Sequence, residues 1–129
     1  MDKNHVISAY LYCKTDWNAD SIKGEWLTHI NYSFALVRDG VISAEELDKL
    51  DEIKLVKRKF PHLKVLISVG GWGADGFSDA ALTDGSRTLF ARSAAEFIRQ
   101  NSFDGIDIDW EYPCSSDAGI RSRPEDREN

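Results

Sequence analysis

Residues Phe103–Pro113 read FDGIDIDWEYP, and the alternation inside this stretch decides the fold. Read as a strand from Gly105 to Tyr112, it places Asp107, Asp109 and Glu111 on one face. Ile106, Ile108 and Trp110 fall on the other, because alternate side chains of a strand share a face. The apolar side calls for covering helices; the acidic side calls for a barrel interior or a cleft. Same-face carboxyl groups about 7 Å apart raise one another's pKa, and desolvation acts in the same direction. Coupled titration follows, with at least one group holding a proton near neutral pH. Such a proton at the C-terminal mouth of a parallel strand suits a general acid, and Glu111, last of the row, lies nearest that mouth. Two other readings fit the same residues. One is an edge strand with a solvated acidic face, at odds with a strand covered on both sides. The other is a metal site, for which the run lacks the loop glycine and ligand order of a calcium loop.

Working outward, the chain alternates strands and helices. VISAYLY (Val6–Tyr12), HINYSFALV (His29–Val37) and KVLISV (Lys64–Val69) are rich in β-branched and aromatic residues. After the Asp39-Gly40 turn, Ser43 and Glu46 have capping-box spacing, which predicts a helix starting near Ala44. Leu47, Leu50, Ile53, Val56 and Phe60 give it one apolar stripe, and Pro61 stops it. A second helix is predicted from Arg87 to Gln100, and a short one near Ile22–Leu27. Ser122–Asp126, with Pro124 early and acids following, reads as a helix start just before the chain stops at Asn129. Strands alternating with helices argue for parallel β-α-β units. The fold class is therefore α/β with a parallel sheet: about four units, the N-terminal half of an eight-unit TIM barrel. A whole barrel takes about 250 residues, so residues 1–129 are read as one partial domain, cut at the helix after strand four.

Composition narrows the function classes. Sixteen basic against 22 acidic side chains leave a net charge of −6, which disfavours nucleic acid as a partner. No run of 18 apolar residues predicts a membrane span. Met1–His5 is polar, without the apolar core of a signal peptide, and location stays unassigned. Cys13 and Cys114 are read as free thiols. Two Cys and three scattered His are too few for a metal centre, and no cofactor is called for.

DGIDIDWEYP resembles the D-x-x-D-x-D-x-E signature of glycoside hydrolase family 18, the chitinases. SVGGW (Ser68–Trp72) resembles that family's S-x-G-G segment, HINYSFA (His29–Ala35) its second strand, and RPEDREN the stretch after its fourth. The resemblance implies a hydrolase of β-1,4-linked N-acetylglucosamine polymers, with chitin or its oligosaccharides as partner. It implies that Glu111 protonates the glycosidic oxygen and that Asp109 orients the substrate's acetamido oxygen to attack the anomeric carbon. Asp107 supports Asp109 from below, so catalysis is substrate-assisted and retaining. Asp104, which opens the motif, is structural. Tyr10 and Ser68 match the floor of the site, where their hydroxyls can bond the inner aspartate. Phe34 lines that floor, and Gly70 and Gly71 serve backbone geometry and close approach. Trp72 is suited equally to stacking on a sugar or to core packing. Trp110 is core by parity, while the place of Tyr112 depends on how the strand ends. The family's strand-six tyrosine and strand-eight tryptophan fall outside these 129 residues, so the fragment alone is expected to be inactive. A non-catalytic chitin-binding protein and an endo-β-N-acetylglucosaminidase are the alternatives. Open barrel edges also predict self-association.

Overall fold

The structure is a computed structural model and describes residues 5–129. Met1–Asn4, most of the polar start weighed above as a leader, lie outside the described residues. Four parallel strands form the sheet: β1 (Ser8–Tyr12), β2 (His29–Arg38), β4 (Lys64–Gly70) and β5 (Gly105–Asp109), in the order β1-β2-β4-β5. A short strand, β3 (Val41–Ser43), folds back antiparallel onto the end of β2. The helices are α1 (Leu50–Lys59), α2 (Phe77–Ala81) and α3 (Asp84–Asn101). Single 3-10 turns lie at Gly24–Trp26 and Pro124–Arg127. Among the described residues no helix is long and apolar enough to cross a membrane.

Parity explains which side of the sheet is dry. Ile30 and Tyr32 of β2 and Val65, Ile67 and Val69 of β4 are buried. They share the apolar cluster with Ile53 and Val56 of α1 and, at its edge, with Phe97 and Ile98 of α3. Phe103 is stacked between Tyr32 at 6.1 Å and Phe97 at 5.8 Å. The other face carries Tyr10, Tyr12, Asn31, Ser33, Ser68, Asp107 and Asp109. The dry face lies toward the helices and the polar face toward the inside of the curve, as the alternation requires. The bottom of the sheet is clamped by Asp104. Its Oδ2 lies 2.8 Å from Lys57 Nζ and accepts the Val65 N–H, the structural part foreseen for it.

Several expectations need correction. The first helix starts at Leu50, with Lys49 in the left-handed region before it, not near Ala44. Ser43 is instead paired to Leu36 in the hairpin, and sheet pairing there excludes the cap. Leu47 is still buried, but from a turn ahead of the helix. The last strand ends at Asp109 rather than Tyr112, because β4 offers no ladder beyond Gly70, the partner of Asp109. Ile108 is 46% exposed: β5 is the sheet's outer strand, and no described helix covers that end of it. α3 begins three residues earlier than predicted, capped by Thr83 and Ser86 in a reciprocal box. The tail Pro124–Arg127 is a 3-10 turn with Pro124 at its start. Both cysteines are free, Cys13 buried and Cys114 exposed.

Candidate active site

Three strands bring the predicted polar residues together at one end of the sheet. Ser68 on β4 is level with Asp107 on β5 and with Ser33 on β2. The Ser68 hydroxyl donates to Asp107 Oδ2 at 2.8 Å. From β1, the Tyr10 hydroxyl is shared between Asp107 Oδ2 at 2.9 Å and Asp109 Oδ1 at 3.2 Å. Two neutral donors thus converge on one carboxylate oxygen of Asp107.

The electrostatics follow from this crowding. Partial burial pushes the Asp109 carboxyl up, the charge of Asp107 pushes it further, and the Tyr10 hydroxyl pulls it back. Glu111 adds a smaller upward push. The Tyr10 phenol is pushed up to about 12 by burial of its hydroxyl, then by the hydrogen bond and charge of Asp107. It therefore stays a donor across the physiological range. The sequence argument for mutually raised acids holds at Asp109, whose upward shift has the causes foreseen.

Glu111 stands outside this hydrogen-bonded cluster, two residues past the end of β5 and half-buried. Asp109 closes the strand by accepting the Gly71 N–H through its carbonyl. That contact needs the glycine pair. A Cβ on Gly70 would lie 2.3 Å from the Asp109 carbonyl oxygen, and its φ of +111° strains any other residue. A Cβ on Gly71, at a φ of +93°, would lie 3.3 Å from the Phe34 ring.

The aromatic residues line the mouth. Phe34 follows an irregularity in the β2–β4 register between Ser33 and Ala35, which turns it off the strict alternation. Its ring lies 6.3 Å from Tyr10 and 6.4 Å from Tyr12, which places it on the inner side of the sheet. Trp72 is 68% exposed and therefore not core. Its ring meets Tyr112 edge-on at 6.3 Å. Trp110 does pack inward, stacked on Phe77 at 5.6 Å. A groove of about 370 Å³ runs past Tyr12, Phe34, Leu36, Gly70 and Trp72 at this end of the strands.

Tyr12 and Asn31 are among the inner-face residues that escaped the sequence reading. Tyr12 has the parity of Tyr10 and lines the groove. Asn31 is level with Tyr10, is buried, and has an Oδ1 without a hydrogen-bond partner among the described residues. The same-face rule, applied to β1 and β2 as it was to β5, finds both.

The sequence profile described as Glycosyl hydrolases family 18 matches residues 7–129. Chitinase A1 of Niallia circulans is 46% identical over 82 residues, 62% of this chain and 12% of its own length. Among solved structures, an N-acetylglucosaminidase of family 18 from Paenibacillus barengoltzii superposes with a TM-score of 0.87 at 40% identity. It covers 95% of this chain, which covers 36% of it. The chitinase domain of the spore coat protein CotE from Clostridium difficile gives a TM-score of 0.87 at 41% identity, covering 98% of this chain and 36% of that one. The chain thus spans about a third or less of the length of these relatives, and its open sheet is part of their barrel. With the motif, the sheet order and the acid cluster all in agreement, the chain belongs to glycosyl hydrolases family 18.

Proposed function

We propose that these residues form part of the active site of a chitinase-type glycoside hydrolase, acting on β-1,4-linked N-acetylglucosamine by substrate-assisted, retaining catalysis. The observation that carries the reading is the convergence of Tyr10 and Ser68 on Asp107, with Asp109 above it and Glu111 beyond the strand end. In this reading Glu111 is the acid: it gives its proton to the glycosidic oxygen as the bond to the anomeric carbon breaks. The electrons that replace that bond come from the substrate's acetamido oxygen, which closes a ring on the same carbon. Asp109 holds the acetamido N–H and stabilises the positive charge that develops there. Water then opens the ring from the opposite side, giving its proton to Glu111. Two displacements at one carbon leave its configuration unchanged.

The raised pKa of Asp109 fits this part. The charge of Asp107 raises Asp109, and a cationic intermediate offsets that negative charge. Phe34 and Tyr12 supply an apolar floor, and Trp72 with Tyr112 an exposed aromatic wall suited to the faces of sugar rings. Residues 1–129 hold only this side of the site, so turnover is proposed for a chain in which the other strands of the barrel complete it.

The test is Glu111→Gln in the complete gene product, assayed on a chitin oligosaccharide. Turnover falls by at least a hundredfold, the scale of general acid catalysis, while calorimetric binding of the same sugar persists. Undiminished hydrolysis by that variant removes Glu111 from the role of acid. Binding without hydrolysis in the unmutated protein would favour the carbohydrate-binding alternative.

A further inference from the structure

Because β5 stops at Asp109, strand pairing does not hold Glu111, and something else must. Three contacts bracket it. On one side the Trp110 ring lies on Phe77. On the other, Tyr112 touches Trp72, and the Cys114 N–H reaches Asp126 Oδ2 at 3.4 Å. Asp126 is 5% exposed. Its Oδ2 also accepts the Arg123 N–H at 2.8 Å, and its Oδ1 accepts the hydroxyl of Ser78 at 2.7 Å. Ser78 is itself buried and takes a second hydrogen bond from Arg123 Nη1 at 2.8 Å. Both anchors therefore rest on consecutive residues of α2, Phe77 and Ser78. Asp79, next in line, pairs with the guanidinium groups of Arg121 and Arg123.

We propose that Asp126 is a positioning residue for Glu111: with Ser78 it ties the segment after the acid to α2, as Phe77 ties the residue before it. This rests on the reading of Glu111 as the acid. The chemistry of the donors supports it. Among the described residues Asp126 makes no ion pair, and its oxygens are filled by one hydroxyl and two backbone N–H groups. A carboxylate satisfied in this way fixes backbone rather than balancing charge. Burial pushes its pKa up, but the Ser78 hydroxyl and the two N–H donors more than reverse this, so it stays charged and accepting. Distance amplifies the effect, because a displacement near 1 Å in a reacting group can cost about a hundredfold in rate.

The experiment uses the complete gene product and an N-acetylglucosamine hexasaccharide. Asp126→Ala lowers kcat by roughly ten- to a hundredfold with KM within about twofold, since Tyr12, Phe34 and Trp72 line the groove from outside the loosened segment. Asp126→Asn, which keeps an acceptor for the two N–H groups, recovers most of that loss. Hydrogen exchange read by mass spectrometry shows faster exchange over residues 110–115 in the alanine variant and no change in β2 or β4. If Asp126→Ala does not fold, Ser78→Ala is compared in the same assays, with a loss of about threefold or more in kcat. A folded Asp126→Ala protein with unchanged kcat, or with exchange raised uniformly over the chain, overturns the proposal. The Glu111→Gln control separates the two ideas. If the unmutated protein lacks turnover, the hydrolase reading fails, and the local exchange pattern still decides the positioning.

Discussion

A single hydroxyl bridges two acids of the inner face. Tyr10 donates to both Asp107 and Asp109, and at Asp109 that hydrogen bond works against the upward push of burial and charge. Tyr10→Phe removes that donor and keeps the ring that lies against Phe34. The sign follows directly. Asp109 already sits above the ordinary carboxylate range, and losing the one contact that lowers it moves its pKa further up. The acid limb of the kcat/KM profile therefore shifts to higher pH, and kcat at neutral pH falls by roughly tenfold, the scale of one charge-assisted hydrogen bond. A variant with the same limb and the same rate would show that Asp109 titrates independently of β1. Ser68 gives the comparison: its bond goes to Asp107 alone, so Ser68→Ala shifts the limb less. The sequence made Tyr10, Ser68 and the acids legible because parity and residue type suffice to place them on one face. Asn31 and Tyr12 obey the same parity and stood unread only because their types did not announce chemistry.

Elements were legible where their own residues determine them, and illegible where a neighbour does. The core strands and the stripe of α1 follow from local pattern, and they form. The start of α1 does not: Ser43 and Glu46 satisfy the cap spacing, yet Ser43 is taken by a three-residue strand that exists only because β2 runs past its parallel partners. The length of β5 is likewise set by Gly70 across the sheet, not by the alternation that continues through Glu111. The five-residue α2 has too few residues for a periodic signal, although its Phe77 stacks on Trp110 and its Ser78 bonds Asp126. At the opposite end of the sheet, Asp104 joins three elements by bonding Lys57 of α1 and the Val65 N–H of β4 from the foot of β5. Burial pushes Asp104 up, but the Lys57 hydrogen bond, the Val65 N–H and the lysine charges more than reverse this, so its folded pKa is lowered. A lowered carboxylate binds fewer protons folded than unfolded near its ordinary pKa. Its stabilisation is thus complete above that value and lost as pH falls through the folded one. Asp104→Asn costs about 1–3 kcal/mol at neutral pH and flattens the acid side of the stability curve. Urea midpoints across pH read both, and parallel curves for the two proteins would remove Asp104 from the acid response.

At the scale of the molecule, the sheet is open among the described residues, and its two outer strands are unlike in what they leave uncovered. Beside β1, Val6 and Ile7 are exposed, and an apolar groove of about 220 Å³ lies between Ala9, Leu11, Ile22, Trp26 and Leu27. Beside β5, Ile108 is half-exposed, and the inner face presents Asp107, Asp109 and Tyr10 without a roof. Unpaired strand edges next to apolar surface are templates for another chain. A polypeptide of residues 1–129 alone is therefore expected to associate through these edges. The order β1-β2-β4-β5 allows the outer strand of one copy to lie parallel to β1 of another, with helices outside and polar faces inside. Such closure would bring two clusters of Asp107 and Asp109 into one interior, where like charges repel. Because the Asp109 carboxyl is pushed up by burial and by the charge of Asp107, the association should be tighter at mildly acidic pH than at neutral pH. Sedimentation velocity over a concentration series at several pH values checks this. A compact monomer at every concentration would show that the edges are closed by the chain itself, and association that strengthens as pH rises would place the contact away from the acids.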